Sequence, residues 1–266
     1  MCTYKRGVPR RAAAAKNQTG KQDGAKSVGI VEFVRTRLRF EPDQRQCEVL
    51  ESKAKQMILN CTRQWGKSTV AAAKAVHRAY SRPRSLILAT SPTARQSGEL
   101  LRKAADMVAT LGIQPKGDGD NELSLLFPNG SRIVGLPGSE WTVRGFSAIS
   151  LLLIDEASRV EDAMYKTLRP MLAVSNGDIW LMSTPCGKRG FFYEVWTHGG
   201  EEWTRIAAPA TECPRIPKEF LAAERREMGS VWFRQEYMGE FVENGSELFG
   251  RNVVEEALDE EMEPLE

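Results

Sequence analysis

Histidine is nearly absent from this sequence: His77 and His198 are the only two in 266 residues. The five cysteines, Cys2, Cys47, Cys61, Cys186 and Cys213, are odd in number and include no Cys-x-x-Cys pair. These shortages exclude a zinc site of ordinary spacing and a disulfide framework, and they suit a reducing cytoplasm. The two histidines read as a helix-surface and a loop residue. Long apolar runs are missing as well. No stretch approaches the roughly 20 residues of a membrane-spanning helix. Ala12 to Ala15 is too short and too weakly apolar for a signal-peptide core. A soluble protein without internal repeats is expected.

Net charge is also scarce, at +2, but it is unevenly spread. Residues 1–39 hold ten Lys or Arg against Asp23 and Glu32, whereas Glu255 to Glu266 holds seven acids and no base. A basic arm suits contact with a polyanion, and the acidic end argues against a surface given over wholly to nucleic acid. Solvated, disordered termini account for both runs equally well. With 41% hydrophobic residues the chain can bury a sizeable core, enough for one large domain or two small ones.

What is present in strength begins at Gln56. Met57-Ile58-Leu59 reads as a buried strand. It runs into Gly66-Lys67-Ser68-Thr69 and then into the helical Val70 to Val76. Strand, tight turn, Gly-Lys-Ser and helix is the order of a phosphate-binding loop. The turn aims backbone N–H groups inward, and the helix N-terminus adds partial positive charge. Lys67 then reaches the outer phosphates, and the Ser68 hydroxyl is a ligand for Mg²⁺. The usual first glycine is replaced by Cys61, so an ordinary turn into a helix is the competing reading. A second run, Leu151-Leu152-Leu153-Ile154, ends in Asp155-Glu156 and reads as a strand buried on both faces. Asp155 would be the acidic partner of Ser68 at the metal, and Glu156 would polarise the attacking water.

Taken in order, residues 1–28 form a basic, disordered arm, and Gly29 to Arg39 a short amphipathic helix. Asp43 caps a helix over Gln44 to Ser52. The amide of Gln44, shortly before the loop, is a candidate partner for an adenine edge. Strands are expected at Ser85 to Thr90, Asp178 to Ser183 and Trp203 to Ala208. Leu123 to Phe127 and Arg132 to Leu136 form a β-hairpin about Pro128-Asn129-Gly130-Ser131. Helices are expected at Ala94 to Leu111, Glu161 to Ala173, Gly190 to Trp196, Pro217 to Met228 and Val231 to Met238. Alternating strands and helices make an α/β fold with a mostly parallel β-sheet, whose carboxyl edge gathers the Gly-Lys-Ser loop, Asp155-Glu156 and Ser183-Thr184.

Five blocks occur in order: Cys61 to Ser68 (CTRQWGKS), Leu136 to Gly145 (LPGSEWTVRG), Leu151 to Ala157 (LLLIDEA), Ser183 to Gly190 (STPCGKRG) and Trp232 to Phe241 (WFRQEYMGEF). The series resembles the N-terminal ATPase half of the large terminase subunit of tailed phages, over roughly residues 29–266. The resemblance implies a RecA-like (ASCE) P-loop NTPase with a β-hairpin insertion and an ATP- and Mg²⁺-dependent activity that drives double-stranded DNA into a procapsid. Gly66, Lys67, Ser68 and Thr69, with Arg63 and Gln64, would hold nucleotide, and Gln44 would contact adenine. Ser68 and Asp155 would hold the metal. Glu156 would be the catalytic carboxylate, assisted by Arg63 and by Arg144, offered as a finger to a neighbouring subunit. Ser183-Thr184 would couple the γ-phosphate to the DNA-gripping part.

The same resemblance implies a portal protein and a small terminase subunit as partners, a homo-oligomeric ring in the assembled motor, and the host cytoplasm as the site of action. The domain expectation is an arm at 1–28, an ATPase domain at 29–250, and an acidic tail or linker at 251–266. Members of the family usually continue into a nuclease domain, and no nuclease activity is expected from these 266 residues. Two other readings share some of the features. A superfamily-two helicase-like ATPase needs a second RecA-like domain, for which the residues after Ser183 are too few. A catalytically inactive, DNA-binding prophage remnant would not need Lys67, Ser68, Asp155 and Glu156.

Overall fold

The computed structural model describes residues 28–120, 123–136 and 145–243. Seven strands form one sheet: β1 (Gln56–Cys61), β2 (Leu86–Thr90), β3 (Ser124–Leu126), β4 (Arg132–Leu136), β5 (Ile149–Asp155), β6 (Asp178–Ser183) and β7 (Trp203–Ala208). Their spatial order is β3-β4-β2-β5-β6-β1-β7. All neighbours are parallel except β3 and β4, which pair antiparallel as the hairpin read from the sequence. Gly130, at φ +79°, supplies the left-handed turn residue between them.

Strand periodicity sorts the core into two layers. Met57, Leu59, Leu151, Leu153, Trp180 and Met182 face one layer, with helices α1 (Ile30–Arg37), α2 (Gln44–Glu51), α3 (Lys67–Ser81) and α4 (Ala94–Thr110). The intervening Ile58, Leu152, Ile154, Ile179 and Leu181 face the other, with α5 (Asp162–Leu168) and α6 (Gly190–His198). A strand with both faces covered reads as an unbroken apolar run, which is the origin of Leu151 to Ile154. Truncating one of these residues to Ala typically costs about 2–5 kcal/mol.

Two more helices, α7 (Lys218–Glu227) and α8 (Gly229–Met238), pack on a small satellite cluster of Ala210, Leu221, Phe233 and Tyr237. Helix α2 begins with the expected cap, a reciprocal box in which Asp43 Oδ1 accepts from Gln46 N and Gln46 Oε1 accepts from Asp43 N. One helix is shorter than its sequence pattern suggests. The α-helix expected to Ala173 stops at Leu168 and tightens into a 3₁₀ turn, Arg169–Leu172, where Pro170 has no N–H to continue the ladder. No helix among the described residues is long and apolar enough to cross a membrane.

His77 is half-buried rather than fully exposed on its helix. Its ring lies 5.1 Å from that of Phe33, edge to face, and joins α3 to α1. Burial, helped by the charges of Lys74, Arg78 and Arg82, lowers its pKa from 6.5 to about 4. Between those values the unfolded chain binds the proton that the folded chain refuses, so stability falls as pH drops through that window. Replacing His77 with Gln removes this contribution. The variant is therefore expected to gain stability relative to the parent between pH 7 and pH 4.5 in urea unfolding, and a constant difference across that range would contradict it.

Candidate functional site

The strand register brings the site together before any side chain is considered. Leu59 of β1 and Asp155 of β5 are both level with Met182 of β6. The segments leaving β1, β5 and β6 therefore emerge side by side at the carboxyl edge. After β1 the chain turns through Gln64, at φ +62°, and Gly66, at φ +95°, which caps α3. The Trp65 carbonyl between them is held from outside by Gln46 Nε2 at 2.8 Å and by Arg215 Nη2 at 2.6 Å. The Gly66 carbonyl accepts from Thr69 N and Val70 N, both at 3.0 Å, which opens the first turn of the helix.

The side chains of this turn point at the acids that end β5. Ser68 Oγ donates to Asp155 Oδ2 at 2.6 Å, and Lys67 Nζ lies 3.6 Å from Glu156 Oε1. Lys67 is itself buried, with Thr62 O at 3.5 Å. Asp155 is buried, and this raises its pKa despite the Ser68 hydrogen bond and the nearby Lys67. Its Oδ1 accepts from Glu156 N at 3.0 Å. Glu156 adopts a left-handed backbone, φ 51° and ψ 42°, an uncommon conformation for a residue with a side chain.

A cavity of about 370 Å³ opens over this group, lined by Arg63, Gln64, Gly66, Lys67, Ser68, Gln96, Lys103, Glu156 and Arg159. Cations outnumber acids in this lining. Together with the helix N-terminus of α3 this is an electrostatic sink for a polyphosphate. Ser68 and Asp155 form an oxygen-only donor pair, which suits Mg²⁺. Among the described residues no group of three His, Cys, Asp or Glu could hold a metal. A metal at this pair would complete its shell with oxygens brought by a phosphate ligand.

The family model of the N-terminal part of the T4likevirus-type terminase large subunit matches residues 58–255. The chain belongs to the terminase large-subunit family. The curated large subunits of Thermus phage G20c and Thermus virus P23-45 are each 26% identical over 248 residues, covering 80% of this chain and 51% of theirs. The chain thus spans about half the length of the curated relatives it matches. Among solved structures, the large terminase ATPase domain of Thermus phage P74-26 aligns with a TM-score of 0.70 at 23% identity, over 79% of this chain and 97% of that one. The HK97 bacteriophage large terminase gives 0.65 at 15%, over 80% and 54%. The large terminase of a thermophilic bacteriophage, in complex with ADP, gives 0.62 at 15%, over 75% and 53%. At these identities the structural likeness speaks for the fold.

Of the residues that the terminase resemblance singled out, Lys67, Ser68, Asp155 and Glu156 meet directly. Gln64, Gly66 and Arg63 line the same cavity, and Thr69 follows in the first turn of α3. Arg63 is turned toward α8, where its Nε lies 2.5 Å from Glu236 Oε2. Ser183 and Thr184 are buried and bound through Ser158, whose Oγ lies 2.8 Å from Ser183 Oγ and donates to Thr184 O at 2.7 Å. Gln44 does not join them. It is exposed at the start of α2 and absent from the cavity lining; the glutamine that grips the loop is Gln46. Only the capping-box spacing from Asp43 marks Gln46 in the sequence. Arg144, residues 1–27 and the acidic end from 244 onward lie outside the described residues. Gln96, Lys103 and Arg159 join the site without any motif in the sequence to mark them, and Glu236 joins it from within the Trp232 to Phe241 block, to which the resemblance assigns no role.

A Cβ at Gly66 would stand 2.9 Å from Gln46 Nε2, on a backbone that side chains rarely adopt. Gly66→Ala is expected to lower unfolding stability by about 1–3 kcal/mol. Gly29→Ala, where nothing lies within 4 Å of the added carbon, should change it little. Equal effects in urea melts would contradict the loop geometry.

Proposed function

We propose that this chain is the Mg²⁺-dependent, ATP-hydrolysing part of a DNA-packaging motor. The observation that carries the reading is the convergence of an ammonium, a hydroxyl and two carboxylates from distant parts of the chain. Lys67 lies within 3.6 Å of Glu156, and Ser68 within 2.6 Å of Asp155. In this reading Lys67 leaves Glu156 for the outer phosphates of ATP. Backbone N–H groups of Gly66, Lys67, Ser68 and Thr69, with Gln64, hold the phosphate chain. Ser68 and Asp155 would hold Mg²⁺, which would supply charge neutralisation there when bound. Glu156 orients the attacking water and accepts its proton. Arg63 exchanges Glu236 for the γ-phosphate. The ADP and ATP-γ-S complexes of the thermophilic-phage terminase support a nucleotide as the ligand.

Family membership supports the remaining parts. Double-stranded DNA is the translocated substrate, and the portal of a procapsid and a small terminase subunit are the partners in the host cytoplasm. A homo-oligomeric ring lets Arg144 reach the γ-phosphate of a neighbour, a contribution of about 10³–10⁵ in rate for such an arginine. Ser183 and Thr184 pass the state of the site to the rest of the motor.

Purified protein should hydrolyse ATP only with Mg²⁺. Lys67→Ala should abolish turnover, whereas Glu156→Gln should cut it about 100-fold or more while keeping nucleotide binding. Robust turnover by both variants would overturn the assignment. If Arg144 acts across an interface, the rate should rise faster than linearly with protein concentration; strict proportionality would contradict the ring.

A further inference from the structure

Arg159 makes contacts that phosphate binding alone does not explain. It ends the 3₁₀ turn Ala157–Arg159, opened by the hydrogen bond from Arg159 N to Glu156 O at 2.9 Å. In a 3₁₀ turn the side chains at i and i+3 eclipse, so the guanidinium of Arg159 is placed on the same side as the carboxylate of Glu156. Arg159 Nη1 lies 3.1 Å from Glu156 Oε2, 3.1 Å from Thr184 Oγ1 and 3.3 Å from Ser158 Oγ. Its Nη2 lies 3.5 Å from Glu236 Oε1, a buried oxygen with no hydrogen bond of its own. One planar fork therefore spans three segments: the end of β5, the tip of β6 and helix α8.

We infer that Arg159 is a positioning residue that holds the Glu156 carboxylate by Oε2 and ties its direction to Thr184 and Glu236. The inference rests on the ATPase reading of this site. Glu156 has two cationic neighbours, Lys67 at Oε1 and Arg159 at Oε2. A phosphate that draws Lys67 away frees Oε1 for water and leaves Arg159 as the group that fixes the carboxylate. The left-handed backbone at Glu156 aims the side chain, and the fork restrains its rotation. Because the fork also touches Thr184 and Glu236, a shift of β6 or α8 moves the carboxylate. Lysine would carry the charge without the fork.

The test compares Arg159→Ala, Arg159→Lys, Glu156→Gln and the double variant Arg159→Ala/Glu156→Gln, each checked for folding by thermal melting and for affinity with a fluorescent ATP analogue. Arg159→Ala should lower kcat by about 10- to 100-fold, with KM and analogue affinity within about threefold of the parent. Arg159→Lys should recover part of that loss. The double variant should be no slower than Glu156→Gln, because a residue acting through Glu156 has nothing left to act on. An Arg159→Ala enzyme at the parental kcat would overturn the inference, as would a double variant whose losses multiply, or nucleotide affinity that falls in step with kcat. Turnover that survives Glu156→Gln would instead overturn the ATPase reading beneath it, so the two failures are distinguishable.

Discussion

The hydrogen bond from Ser68 to Asp155, 2.6 Å long, is the joint on which the arrangement depends. It joins the start of α3 to the end of β5 across the tip of β6, which lies between β1 and β5 in the sheet. That reach is possible only because the parallel register brings Leu59, Met182 and Asp155 level. A slip of one residue in β5 would turn Leu151 and Leu153 out of their layer and exchange them with Leu152 and Ile154. The two apolar layers therefore fix the height of Asp155, and through it the height of the loop. Core packing and site geometry are the same constraint seen from the two ends of one strand.

Charge is the second constraint. Lys67, Asp155 and Glu236 are all buried, and isolated charges at such depth would be costly. The structure resolves this by pairing: Lys67 with Glu156, Glu236 with Arg63 and Arg159, and Asp155 with the Ser68 hydroxyl. Helix α8 is bound into the same set, since the Glu236 carbonyl also accepts from Thr62 Oγ1 at 3.1 Å. In the proposed reading, a ligand that neutralises some of these groups would release others. Binding at the cradle would thereby be linked to α8 and to the β6 tip without any long chain of intermediaries.

Much of this is legible in the sequence, for identifiable reasons. Strands covered on both faces announce themselves as apolar runs, and Gly-Lys-Ser, ambiguous alone, gains its meaning from the strand before it, the helix after it and the acid-ended run Leu151 to Glu156. The pairing of Ser68 with Asp155 follows from the chemistry of each segment and the rule that such sheets bind at their carboxyl edge. The roles of Arg159 and Glu236 are not legible, although Glu236 stands in a quoted block, because they lie in contacts between segments far apart in the chain. Each reads as an ordinary charged residue on a helical turn. Gln44 is singled out in the sequence because an amide near a loop carries no sign of its direction; the glutamine that the structure turns toward the loop is Gln46, held there with the capping box. The early end of α5 is readable in principle from Pro170, whose missing N–H the apolar periodicity conceals.

The most direct test of the central claim is a crystal structure of the chain grown with Mg²⁺ and a non-hydrolysable ATP analogue. The account predicts the triphosphate in the turn between β1 and α3, with Lys67 moved from Glu156 to the outer phosphates. Ser68 and Asp155 should lie on one metal ion, and Glu156 should still be held by Arg159. A nucleotide bound elsewhere, or a saturated crystal in which Lys67 remains on Glu156 and the turn stays empty, would contradict it.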